Sequence, residues 1–101
     1  MNFCRHRDFE KSYQKLNPQE KELIKKAILQ AMVHYEMPQT VLPYGTRMTQ
    51  LGVSKEGIVY EIRVGIHWRI LFIEVKTKSL VIFRLIADHD EVRRFIREFR
   101  K

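Results

Sequence analysis

The sequence predicts an α+β fold: an N-terminal helical hairpin packed on a twisted, mainly antiparallel four-stranded sheet, followed by a C-terminal helix. Three observations carry that expectation. Apolar residues recur at helical spacing from Asp8 to about Tyr35. Between Ile58 and Ala87 they alternate or run unbroken in three strand-length stretches joined by short turns. Helical spacing then returns after Asp88. With 101 residues, read as one domain over residues 1–101, the chain can bury one modest core.

Residues 1–6 are expected to open the fold as a short strand, with Phe3 and Cys4 as its apolar content. Phe9, Tyr13 and Leu16 then repeat at spacings of four and three, which predicts a helix over 8–16. Asn17-Pro18 ends it and starts the next, because Asn is a good N-cap and Pro suits a first turn. That second helix should bury a stripe of Leu23, Ile24, Ala27, Ile28, Ala31, Met32 and Tyr35, leaving Lys21, Glu22, Lys25 and Lys26 in water. Two prolines and a glycine mark a loop from Met37 to Gly45, and residues 47–53 are expected as a strand.

From Ile58 to Val64 the alternation is clear: Ile58, Tyr60, Ile62 and Val64 point one way, and Val59, Glu61 and Arg63 the other. Trp68–Val75 and Leu80–Ala87 are apolar on both sides, as central strands covered twice should be. Lys76-Thr77-Lys78-Ser79 is the polar turn between them. Asp88, with Glu91 three residues on, caps a last helix that should bury Val92, Phe95, Ile96 and Phe99. Its polar remainder is Arg93, Arg94, Arg97 and Arg100.

Nineteen basic residues against twelve acidic ones give a net charge of +7 and a pI near 9.8. That excess favours a polyanionic partner, nucleic acid or an acidic protein. The one cysteine, Cys4, excludes an intramolecular disulfide, fits a reducing cytoplasmic setting, and is expected buried as a small hydrophobe. Neither a signal-peptide core nor an apolar run of about twenty residues is present, so no membrane association is expected. One cysteine and four scattered histidines lack zinc-ligand spacing, and phosphate-binding glycine loops are missing. No metal and no small-molecule cofactor is expected.

The chemistry concentrates in Tyr60-Glu61-Ile62-Arg63-Val64-Gly65-Ile66-His67-Trp68-Arg69-Ile70-Leu71-Phe72. If Gly65–His67 is the loop, Val64 faces Trp68 and Arg63 lies directly across from Arg69. Like charges so placed repel, and a bound phosphate would offset them. The competing reading is a salt bridge from either arginine to Glu61 or Glu74. Glu61 could accept a proton from a ribose hydroxyl, although a cross-strand ion pair is the simpler role. His89, in Asp88-His89-Asp90, stands where the last strand becomes the last helix, a position open to acid–base work. His67 is a weaker candidate of the same kind, and His6 and His34 read as incidental. Further cations for a nucleic-acid face are Arg47, Lys55, Arg84 and Arg93.

These residues resemble the RelE/ParE toxin superfamily. Tyr60-Glu61-Ile62-Arg63-Val64, then Trp68-Arg69-Ile70-Leu71-Phe72, Leu80–Leu85 and His89-Asp90-Glu91-Val92 carry the resemblance, together with the helical hairpin before the sheet. It implies a RelE-like fold and a toxin of a type II toxin–antitoxin system, partnered by a cognate antitoxin. RelE- and HigB-like members cleave messenger RNA on the ribosome without a metal. The ribose 2′-hydroxyl attacks the adjacent phosphate, and basic residues stabilise the transition state. By resemblance Arg69 matches the family's phosphate-supporting strand arginine and Arg63 a basic strand position. Glu61 stands where some relatives have a catalytic lysine and where HigB-like members often have glutamate. Relatives that carry an aromatic after the final strand have it where this chain has Arg93. The general base is therefore unassigned, with His89 the best candidate. Two other readings stay open: a ParE-like inhibitor of DNA gyrase, and an RNA-binding module that cuts nothing.

Overall fold

A computed structural model of the chain describes residues 1–37 and 48–99. In chain order these form β1 (Asn2–Arg5), α1 (Arg7–Gln14), α2 (Pro18–Glu36), β2 (Met48–Ser54), β3 (Gly57–Val64), β4 (Trp68–Val75), β5 (Leu80–Ala87) and α3 (His89–Phe99). The strands make one sheet in the order β1-β5-β4-β3-β2, antiparallel except where β1 runs parallel to β5. The expected α+β architecture is present. The sheet, however, has five strands where four are expected, because both weakly patterned segments, 2–5 and 48–54, join it at opposite edges.

The helix starts follow from local chemistry. His6 caps α1, its Nδ1 accepting from the Asp8 backbone N–H at 3.0 Å, so this histidine is structural and not incidental. Asn17 and Glu20 close a capping box on α2, with Asn17 Oδ1 accepting at 2.8 Å and Glu20 Oε1 at 3.0 Å. Asp88 and Glu91 repeat the device on α3, at 2.9 and 3.2 Å.

The α1–α2 hairpin covers one face of the sheet, where Phe9, Ile24, Ile62, Ile70, Phe72 and Val81 are at most 2% exposed. On the opposite face α3 packs on β2, β4 and β5 around Leu71, Ala87 and Val92. Two expectations fail at this level. Leu23 is 51% exposed, because at 100° per residue it lies off the face that Ile24, Ala27 and Ala31 centre. Cys4 is exposed on edge strand β1, where Phe3 turns to the core and its neighbour turns away. The expected Met37–Gly45 loop falls, after Met37, outside the described residues.

Candidate nucleic-acid interface

The β3–β4 hairpin forms in the expected register, with Val64 opposite Trp68 and Arg63 opposite Arg69. Gly65 takes φ +65°, a left-handed turn conformation that glycine adopts without a Cβ penalty. Both arginines project to the α3 side, yet they meet different fates. Arg63 is exposed. Arg69 is only 8% exposed, and its Nε lies 2.9 Å from Glu61 Oε1. The N–H is not aimed squarely at that oxygen, so the contact is an ion pair more than an aligned hydrogen bond. One guanidinium N–H also reaches the Trp68 carbonyl at 3.4 Å. The counter-charge that the facing arginines require is thus supplied inside the protein.

Pairing Arg69 with Ala87 brings the β5–α3 junction to the same end of the sheet as the hairpin turn. Here the structure assembles a group that the sequence pattern does not expose. The Trp68 indole N–H donates to Glu20 Oε2 at 2.6 Å, tying the start of α2 to the hairpin. Hydrogen bonds from the Asn17 backbone and then from Trp68 hold the Glu20 carboxyl below the usual glutamate range. Asp88 is likewise held low, chiefly by the Glu91 backbone N–H. His67 acts electrostatically on both carboxylates and packs edge-on to Trp68 at 4.6 Å. His89 is more open, with a side chain 60% accessible and Nδ1 3.8 Å from Asp90 Oδ1.

The other basic candidates scatter. Arg84 is the extra residue of a β-bulge, since Leu71 pairs with Leu85 while Phe72 pairs with Phe83. Its guanidinium donates to Asp8 Oδ2 at 2.8 Å, lies 3.2 Å from His6 Nδ1 and sits over the Phe95 ring at 5.3 Å. That hydrogen bond holds the Asp8 carboxyl below its ordinary range. Arg84 is therefore engaged in joining α1, β5 and α3. Arg93 is exposed on α3. Lys55 lies in the β2–β3 turn, beyond Gly57, which is itself about 20 Å along β3 from Arg63 at roughly 3.3 Å per residue, and so is not part of the hairpin end. Arg47 lies outside the described residues.

No protein-family model and no curated protein sequence matches this chain. Solved structures do match in fold. The RelE–RelB complex of Pyrococcus horikoshii OT3 aligns with a TM-score of 0.62 at 14% identity, over 86% of this chain and 92% of that one. The E. coli DinJ–YafQ complex gives 0.61 at 15%, over 90% and 96%. The isolated E. coli RelE toxin gives 0.59 at 16%, over 93% and 97%. The fold is that of the RelE-like toxins. Among the described residues no helix is long and apolar enough to cross a membrane.

Proposed function

We propose that this chain is the toxin of a type II toxin–antitoxin pair, an endoribonuclease that cleaves messenger RNA on the ribosome, in the cytoplasm, and so inhibits translation. One observation carries the reading: nearly the whole chain superposes on RelE and YafQ toxins, two of which are in complexes with RelB and DinJ. A cognate antitoxin is the corresponding partner here. The net charge of +7 suits both the RNA and an acidic antitoxin segment.

In this reading the exposed Arg63 and Arg93 bind phosphate oxygens beside the hairpin end. Arg69, neutralised by Glu61, backs Arg63 and meets the scissile phosphate only by exchanging partners. The ribose 2′-oxygen attacks phosphorus as its proton passes to a base, and the bond to the 5′-oxygen breaks as that oxygen gains a proton. The cationic groups stabilise the charge that develops on the phosphoryl oxygens. His89, and His67 between its two carboxylates, are the groups able to carry the protons.

A cell-free translation reaction with primer extension on the messenger tests this. Codon-associated cuts are expected from the wild type, with loss on Arg63→Ala and a fall of about 10²–10⁴-fold on removal of the proton carrier. A second reading, ParE-like inhibition of gyrase without cleavage, is favoured by the ion-paired Arg69 and by Arg93 at the aromatic position. Lost supercoiling activity of gyrase, with intact messenger, selects it.

A further inference from the structure

On the sheet face opposite the arginines, a cavity of about 400 Å³ opens below the C-terminal turns of α2, lined by His34, Tyr35, Met48, Tyr60 and Glu74. Its chemistry is one-sided. Glu74 is 8% exposed, set in β4 between Ile58 and Val81. No described lysine, arginine or histidine forms an ion pair with it. His34 Nδ1 is buried without a hydrogen-bond partner, and the buried Tyr35 hydroxyl makes no close, well-aligned bond but stands beside the Glu74 carboxylate, the acceptor its O–H faces. Burial, and then the neighbouring Glu74 carboxylate, push the Tyr35 phenol far above its ordinary range, so its oxygen stays a neutral hydroxyl. The Tyr60 ring stacks on Phe72 at 5.4 Å and forms an aromatic wall.

A buried carboxylate with no cation beside it among the described residues is costly, and buried polar atoms normally find partners. Carboxylate oxygens accept only, the Tyr35 hydroxyl spends its one donor on Glu74 and keeps its acceptor lone pairs, and the imidazole nitrogen accepts in one tautomer. Among the described lining residues the surplus is therefore of acceptors, and an occupant that suits them brings N–H donors and positive charge. An anion is repelled by Glu74. Among the described residues no group of three metal-binding side chains gathers, so the cavity does not form a metal cage. A guanidinium fits best, since its planar fork of five N–H donors matches a carboxylate side-on and stacks on an aromatic ring.

We propose that this cavity is a guanidinium-binding site, in which Glu74 accepts the forked pair of N–H bonds, Tyr35 and His34 accept from the remaining donors, and Tyr60 and Met48 wall the plane. The guanidinium arrives either on a small alkylguanidine or on an arginine side chain of a partner protein. This site is independent of the nuclease reading.

The test is titration of the full chain with methylguanidinium chloride, observing the Met48 methyl and the Tyr35 and Tyr60 ring resonances by NMR against matched sodium chloride. Saturable shifts at those residues are expected, with affinity roughly tenfold or more weaker in Glu74→Gln, the loss of a charge-assisted hydrogen bond. Shifts that sodium reproduces, shifts that never saturate, or equal affinity in the variant overturn the proposal. Should Glu74→Gln fail to fold, Tyr35→Phe decides, weaker binding supporting the site and unchanged binding overturning it. Parallel titration with Nα-acetylarginine methylamide separates the sources: equal or tighter binding assigns a protein side chain, and binding of methylguanidinium alone assigns a small guanidine.

Discussion

The two faces of this sheet share the same strands and are built in opposite ways. Below α1 and α2, large apolar side chains from five elements meet around Phe72, which is fully buried and packs on Tyr35, Tyr60 and Phe83. Below α3 the buried apolar set is smaller, Leu71, Ala87 and Val92 with Val59 and Ile73 further along the same strand face, bordered by half-buried Leu51, Leu85, Phe95 and Ile96. The Glu61–Arg69 ion pair and the Arg84 bulge lie on that second face. One face thus carries the stability, which leaves the other free to carry charge. Glu74 is the exception that the apolar face tolerates.

Truncating the core on each side of the sheet shows how far the two faces differ. Phe72→Ala should cost about 3–5 kcal/mol, the range for buried aromatics, in urea unfolding. Val92→Ala removes two buried carbons at about 0.8 kcal/mol each and should cost roughly 1–2 kcal/mol. Equal losses would mean that α3 supports the fold as strongly as the hairpin does.

The ion pair is the next test. Glu61→Ala leaves the Arg69 guanidinium buried without its counter-charge, and a loss of about 3 kcal/mol is expected, the low end for a broken buried pair because both side chains keep some solvent access. Glu61→Leu with Arg69→Met should cost less than either truncation alone. A double-mutant cycle with no coupling would show that the two charges are solvated separately. Arg63→Ala, at the exposed position across from Arg69, should leave stability within about 0.5 kcal/mol, which separates binding from folding on the same pair of strands.

The sequence made legible what local rules control. The Gly65–His67 loop set the register of Arg63 on Arg69, Asn17-Pro18 marked the start of α2, and the spacing Asp88-x-x-Glu91 marked the capping box of α3. Strands β4 and β5 fall where the unbroken apolar runs place them. What stayed hidden depends on contacts between distant residues. Nothing near Glu20 announces its half of the capping box or the Trp68 indole 48 positions away. Glu61 and Glu74 look alike in the chain, yet the first neutralises an arginine and the second faces a cavity. Cys4 and Leu23 are apolar by type and exposed by position, because an edge strand and a helix flank have only one covered side.

The smallest expected effect concerns pH, and it too separates the faces. Each helix starts with a carboxyl held below its ordinary range: Asp8 by Arg84, Glu20 by the Asn17 backbone, and Asp88 by the Glu91 backbone. A carboxyl whose folded pKa is depressed stabilises the fold above its unfolded value of about 4, and that contribution is lost as pH falls through the folded value. Stability should therefore decline below about pH 4 and hold steady above it. Asn caps as well as Asp but does not titrate, so Asp88→Asn should keep α3 formed while flattening its share of the acid limb. Hydrogen exchange at α3 amides, followed from about pH 5 to 3, would then lose its pH-dependent opening, whereas α1 and α2 would still loosen with acid. An unchanged acid response of α3 in Asp88→Asn would place its pH sensitivity in the core beneath and not at its cap.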